Sequence, residues 1–170
     1  EIGFVFQFHQ LLPDFSALEN VMIPALIAGI PEKEARNSAS ELLDFMGLKD
    51  RISHRPAKLS GGEKKLASIA TILSTEPEII LMDEPSVALD PCNRDKLIRV
   101  INGLPGMKLL ASHDLDFIYD TCQRTLVLAN GGIVYDGPTE QVLKDKAFLE
   151  QYGLRLPLSF RFGVGRECMW

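Results

Sequence analysis

Two adjacent carboxylates, Asp83 and Glu84, follow the apolar run IILM. A short apolar run predicts a buried strand, and open α/β sheets place their functional groups at the carboxyl ends of strands. Neighbouring strand residues point to opposite faces, so one carboxylate can hold Mg²⁺ through water while the other polarises an attacking water. Taken alone, the pair is explained equally well by a polar turn that ends the strand at Pro85.

A Leu-Ser-Gly-Gly turn, residues 59–62, runs directly into a predicted helix. Gly61 and Gly62 allow a ligand to approach the backbone closely, and the helix start presents unpaired N–H groups and a positive dipole end to an anion. Ser60 adds a hydroxyl donor. Because Ser-Gly-Gly is also a common loop before a helix, the turn alone does not identify a phosphate site.

The third candidate for chemistry is His113. It directly follows MKLLAS, residues 107–112, which we predict to be a strand. We expect it at the same sheet edge as Asp83 and Glu84, where an imidazole can donate to a phosphate oxygen. A single histidine at a strand end is more often a structural residue, and we interpret His9 and His54 in that way.

Periodicity and capping signals predict the secondary structure around these groups. IGFVFQ, residues 2–7, has the pattern of a strand, and the spacing of Ser16 and Glu19 predicts a capping box and a helix to about Ala28. A second helix follows, with Pro31 at its first position and Gly47 as its stop. From residue 78 strands and helices alternate, which indicates an α/β fold, and the turn at residues 130–132 predicts a β-hairpin.

The composition is ordinary for one globular domain, with 170 residues, 46% hydrophobic and 24% charged. A net charge of -5 argues against binding to nucleic acid or anionic lipid. The three cysteines, Cys92, Cys122 and Cys168, show no Cys-x-x-Cys spacing, so neither a zinc site nor a disulfide framework is expected, and a reducing cytoplasmic setting fits. VMIPALIAGI, the longest apolar stretch, has about half the length of a bilayer-spanning helix.

In this order, the motifs resemble those of the ATP-binding subunit of ATP-binding cassette (ABC) transporters. The resemblance covers nearly the whole chain except the last ten or so residues. LSGGE at residues 59–63 is similar to the signature LSGGQ, IILMDE at 79–84 to the Walker B strand, and SVALD at 86–90 to the D-loop. Gln7 matches the Q-loop glutamine and His113 the switch histidine.

The resemblance implies an ABC-type ATPase with ATP and Mg²⁺ as cofactors. In the chain's own ATP site, Glu84 would be the catalytic base and Asp83 would assist Mg²⁺. Gln7 would reach Mg²⁺ and the attacking water, and His113 would sense the γ-phosphate.

The resemblance also implies a site shared with a second subunit. ATP in this family lies between the Walker A loop of one subunit and the signature turn of the other. The residues that would bind the partner's ATP are Ser60, Gly61, Gly62 and Glu63. The D-loop, with Ser86 and Asp90, would cross to that partner.

The implied architecture is a P-loop NTPase-like nucleotide-binding domain at residues 1–160, with a tail at 161–170. Residues of about 15–77 would form the helical and signature subdomain, and residues 78–160 the RecA-like part, with a mainly parallel sheet, a C-terminal β-hairpin and helices. The implied partners are a second ABC ATPase subunit, in a homo- or heterodimer, and an integral membrane transporter subunit, without nucleic acid. The implied location is the cytoplasmic face of the membrane.

The subfamily signals are mixed. Residues 5–29 are similar to lipoprotein-release and macrolide-efflux ATPases, whereas LSGGEKK, TEPEIILMDEP and YDGPTEQVLKD are similar to cobalt, nickel and energy-coupling-factor importers. We expect an importer. Leu66 departs from the family, which often has arginine there, and this affects a polar contact near the Q-loop.

A Walker A loop, G-x-x-x-x-G-K-[ST], should precede the Q-loop, but the sequence contains none. GIVYDGPT at residues 132–139 has the glycine spacing, yet Pro138 occupies the lysine position. We therefore expect an N-terminally truncated cassette that does not hydrolyse ATP alone. Two alternatives stay open: a non-catalytic module that donates its LSGGE turn to another subunit's ATP, and an inert fragment. Soluble ABC proteins of DNA repair or translation would show a coiled-coil insertion or a second cassette, and the sequence shows neither.

Overall fold

A computed structural model of the chain describes residues 2–6, 10–87 and 89–162. The chain divides into two compact units, of which the first extends to Ala111 and the second begins at Ser112. Each unit contains both helices and strands, in agreement with the expected α/β class.

In the first unit, three α-helices lie between the first two strands and one α-helix lies between the second and the third. Its strands and α-helices are β1 (Ile2–Val5), α1 (Ala17–Ile27), α2 (Glu32–Phe45), α3 (Gly61–Leu73), β2 (Ile79–Asp83), α4 (Pro91–Gly103) and β3 (Met107–Ala111). Two short 3₁₀ helices, Lys49–Arg51 and Pro56–Lys58, lie between α2 and α3.

The three strands form a parallel sheet in the order β1-β2-β3, with Val5 opposite Met82 and Asp83 opposite Ala111. One face is covered: Val5, Ile80 and Met82 are buried there. A Cβ on Gly3 would lie only 2.5 Å from Ile72 Cγ2, so α3 packs directly against β1 on this face. On the other face Ile2, Phe4, Met107 and Leu109 are exposed.

Helices α1, α2 and α3 pack against one another through small buried residues. Ala17, Ala35, Ala39 and Ala67 are each at most 1% exposed, which permits close helix approach. The predicted capping box of α1 is present, because Ser16 and Glu19 exchange both hydrogen bonds. The prediction for Pro31 was wrong by one position: it is the N-cap of α2, since its extended backbone conformation lies outside the helical region.

The second unit consists of α5 (Leu115–Thr121), β4 (Arg124–Ala129), β5 (Gly132–Pro138), α6 (Thr139–Lys144), α7 (Lys146–Gln151) and α8 (Leu158–Phe162). The predicted hairpin is present, with Asn130 and Gly131 at φ 52° and 78° in its turn. The segment with the Walker A-like glycine spacing is therefore strand β5. Of the expected tail, residues 163–170 lie outside the described residues.

In the described part of the chain, no helix has the length and apolar character needed to cross a membrane.

Candidate active site

The two carboxylates lie where β2 ends. Asp83 is its last residue and is exposed, on the same strand face as Ile79 and Leu81. Glu84 follows with a φ of 45°, an unusual value for a glutamate. Its N–H donates to the carbonyl oxygen of Ala111 at 2.8 Å, so the end of β3 holds this strained residue. The turn thus fixes both carboxylates at the carboxyl edge of the parallel sheet.

The Ser-Gly-Gly turn forms the start of α3. Ser60 is the N-cap: its Oγ accepts a hydrogen bond from Glu63 N at 3.2 Å, and Glu63 Oε2 accepts one from Ser60 N at 2.8 Å. The N–H groups of Gly61 and Gly62 are the first two of the helix and have no intrahelical acceptor. A Cβ on Gly61 would meet nothing within 4 Å, so the space beside this glycine is open.

Gly62, in contrast, is buried against Asn93. A Cβ on Gly62 would lie 2.8 Å from Asn93 Cγ and would overlap Asn93 Nδ2. Asn93 Nδ2 donates to Asp90 Oδ2 at 2.6 Å, and Asn93 N donates to Asp90 Oδ1 at 3.0 Å. These bonds, chiefly the one from the Asn93 backbone, lower the pKa of Asp90, the N-cap of α4. The structure therefore joins the predicted signature turn and D-loop through Asn93, which sequence reasoning did not identify.

Glu63 is held by a second group that the sequence did not reveal. Arg51 Nε donates to Glu63 Oε1 at 3.0 Å. The hydrogen bond from the Ser60 backbone N–H, followed by the hydrogen bond and charge of Arg51, lowers the pKa of Glu63 against partial desolvation. The carboxylate is therefore charged and fixed in direction.

Lys65 is a buried amine inside α3, with 4% of its surface exposed. Its Nζ donates to the carbonyl oxygen of Phe6 at 2.8 Å. Burial lowers the pKa of Lys65, while the charge of Asp83 acts in the opposite direction. Helix α3 thus begins at the signature turn and carries an amine that bonds the residue after β1 and interacts with the charge of Asp83. Leu66, at the position where the family often has arginine, is fully buried.

The remaining predicted residues are less closely grouped. Gln7 lies outside the described residues. Ser86 is buried, and its carbonyl oxygen accepts a hydrogen bond from Leu89 N at 3.3 Å inside the predicted D-loop. His113 is exposed at the start of the second unit, directly before Asp114, which caps α5. Its expected position beside Asp83 and Glu84 stays a prediction.

The family model described as ABC transporter matches residues 1–87. The lipoprotein-releasing system ATP-binding protein LolD of Bacteroides fragilis is 50% identical over 137 residues, which are 78% of this chain and 63% of that protein. LolD of Nitrobacter hamburgensis is 41% identical over 138 residues, 79% of this chain and 59% of that protein.

A solved structure shows the same fold. It is the dimeric post-hydrolysis state of the ATP-binding cassette MJ0796 bound to ADP and Pi, with a TM-score of 0.73 and 31% identity over 82% of this chain and 63% of that chain. The chain therefore has the α/β fold of ABC nucleotide-binding domains, and it spans less than two thirds of the length of these relatives.

The relatives do not support our expectation that cobalt, nickel and energy-coupling-factor importers are the nearest group. Two relatives carry the name of a lipoprotein-releasing ATP-binding protein, which agrees with the similarity noted at residues 5–29. The importer-like motifs are short, and residues 79–83 in one of them form strand β2. The family model covers just over half of the chain, and on this basis the chain belongs to the ABC transporter family.

Proposed function

We propose that the chain acts in an ATP-hydrolysing subunit that powers an ABC transporter by dimerising around ATP. The observation that carries this proposal is the start of α3. There a serine hydroxyl lies beside the N–H groups of Gly61 and Gly62, which have no intrahelical acceptor, and a Cβ on Gly61 would meet nothing within 4 Å. An anion at a helix start is stabilised by such donors. We assign this turn, Ser60 to Glu63, to ATP held by a second subunit.

The carboxylates at the end of β2 support the chain's own half-site. Asp83 is an exposed carboxylate at the sheet edge and fits Mg²⁺, which keeps several waters and takes one or two protein carboxylates. Bound Mg²⁺ would neutralise charge on the phosphates. Glu84 would accept the proton of the attacking water. Gln7 would orient that water, and His113 would donate to the γ-phosphate.

Residues 1–170 include no phosphate cradle of the G-x-x-x-x-G-K-[ST] type, and the segment with similar glycine spacing is strand β5. Most of the binding energy for a triphosphate comes from such a backbone nest, its lysine and Mg²⁺. A polypeptide of these residues alone is therefore expected to show no ATPase activity.

The relatives named for lipoprotein release support a transporter of that type, with the subunit on the cytoplasmic face of the membrane. An integral membrane partner needs a surface to contact, and α1 ends in one. Ile27 is 81% exposed and Leu26 is 40% exposed at the end of this helix. We assign this apolar surface to the membrane subunit.

The test measures Mg²⁺-dependent retention of labelled ATP by the purified chain, alone and mixed with full-length Bacteroides fragilis LolD whose Walker B glutamate is replaced by glutamine. The chain alone should retain no ATP, whereas the mixture should retain it. Ser60→Arg in this chain should abolish the part of the retained ATP that depends on this chain. Tight ATP binding or hydrolysis by the chain alone would contradict the expectation that residues 1–170 do not bind ATP without a phosphate cradle.

A further inference from the structure

Two capping boxes with the same residue types and spacing lie in the described part of the chain. In the first, Ser16 N donates to Glu19 Oε2 at 2.7 Å and Glu19 N donates to Ser16 Oγ at 3.3 Å. In the second, Ser60 and Glu63 make the same pair of bonds at 2.8 and 3.2 Å. The box at Ser16 therefore serves as an internal reference for the box at the signature turn.

The two boxes differ in the use of the serine hydroxyl. Ser16 Oγ donates to Glu19 Oε2 at 2.7 Å, and this bond is the leading cause of the lowered pKa of Glu19. In the second box, the hydrogen bond with the Ser60 side chain is the smallest of the effects that lower the pKa of Glu63. Instead, Arg51 binds Glu63 Oε1.

Backbone bonds fix the position of Arg51. Its N–H donates to Leu48 O at 2.8 Å, and its carbonyl oxygen accepts from His54 N at 2.9 Å. The next turn of chain is bonded to the start of α1, since Ala17 N donates to His54 O at 2.8 Å. Arg51 therefore reaches Glu63 from a supported loop, although 45% of its side chain is exposed.

The charge of Glu63 matters for a ligand at this turn. A carboxylate three residues into the helix lies beside the N–H groups of Gly61 and Gly62, and it repels any anion that approaches them. The family signature has an uncharged glutamine at this position. A neighbouring guanidinium cancels the charge and also occupies the oxygen that is not bonded to the Ser60 N–H.

We propose that Arg51 is a positioning residue of the signature turn. By holding and neutralising Glu63, it keeps the Ser60 hydroxyl and the first N–H groups of α3 available to the terminal phosphate of ATP held by a second subunit. This inference rests on the proposed function, because it assumes that the turn receives a partner's nucleotide.

The experiment titrates labelled ATP with Mg²⁺ into the mixture of the chain and the glutamine variant of full-length LolD. Arg51→Leu is expected to weaken retention roughly tenfold, because the Glu63 carboxylate is then no longer neutralised and repels the terminal phosphate. Arg51→Lys should restore a large part of it, because the positive charge is kept. The matched control is Arg36→Leu, which removes another exposed arginine–glutamate pair, 3.3 Å from Glu32, and should leave retention unchanged.

A double-variant cycle separates positioning from a structural role. In a Glu63→Gln background, we expect Arg51→Leu to change retention by less than about twofold, since no charge remains to be neutralised. Equal losses in both backgrounds would overturn the proposal, as would wild-type retention by Arg51→Leu. If the unsubstituted mixture retains no ATP, the proposed function itself fails and this inference fails with it.

Discussion

At the scale of single residues, Gly62 packs the predicted ligand turn against the side chain of Asn93. A methyl group at Gly62 would overlap the Asn93 side chain and disturb its bond to Asp90. We predict that Gly62→Ala lowers the free energy of unfolding by about 1–3 kcal/mol, as overpacking of a tight site does. Urea-induced unfolding followed by circular dichroism measures this change.

The matched control is Gly61→Ala, because a Cβ there meets nothing within 4 Å. Alanine is the better helix former, so its free energy of unfolding should stay within about 1 kcal/mol of the unsubstituted chain. Equal stability of the two variants would show that Asn93 does not pack against Gly62 as described.

Lys65 gives a second prediction at this scale. Its Nζ bonds the carbonyl oxygen of Phe6 at the end of β1. We predict that Lys65→Met increases amide hydrogen exchange in residues 2–6, because an unpaired carbonyl loosens the strand end. Lys64→Met, at the adjacent and less buried position, should leave this exchange unchanged. Unaltered exchange in Lys65→Met would contradict the role of the buried amine.

Local patterns located the candidate residues but not their supports. Asp83, Glu84 and the Ser60 turn were predictable because a strand end and a helix start are encoded by nearby residues. Lys65 and Phe6 are 59 positions apart, so no local pattern indicates their bond. The position of Lys65, three residues after the buried Gly62 and four before the buried Ile69, was the available signal that it faces inward.

At the scale of elements, capping signals were reliable where the partners lie in one turn of chain. The capping box at Ser16 and the turn of the hairpin are confirmed. No local sequence pattern predicted α8. The first N–H groups of this helix, those of Leu158 and Ser159, donate to the distant Asp116 carboxylate at 2.8 and 3.0 Å. Such long-range caps are not visible in sequence.

The caps predict how stability depends on pH. The pKa of Glu63, like that of Glu19, is lowered below its ordinary value of 4.5 by hydrogen bonds in the folded chain. Their contribution is therefore fully present above that value and is lost as the pH falls through the folded pKa. We predict a fall in the free energy of unfolding between about pH 6 and about pH 3.

The fall should be shallower in Glu63→Gln, which no longer titrates at this position. Urea unfolding at a series of pH values provides the comparison. A Glu63→Gln variant with the same slope as the unsubstituted chain would show that the Ser60 and Arg51 bonds do not favour the charged carboxylate.

At the scale of the whole molecule, the alternation of strands and helices predicted the fold class. It did not predict which face of the sheet is buried and which is exposed. The sequence indicates which residues form strands, but Ile2 and Met107 are about two-thirds exposed, at 66% and 65%. Exposed apolar faces of this kind mark interaction sites. The functional unit of our proposal is likewise larger than one chain, since its two half-sites are completed by a partner.

We propose that the Ser60 turn holds a nucleotide bound to another subunit. The most direct measurement is photolabelling of the mixture with ATP that carries an azidoanilide on its γ-phosphate, followed by peptide mapping. We predict Mg²⁺-dependent label in the peptide that contains residues 59–64 of this chain, and its loss in Ser60→Arg. Label confined to the partner, or placed elsewhere on this chain, would contradict the claim.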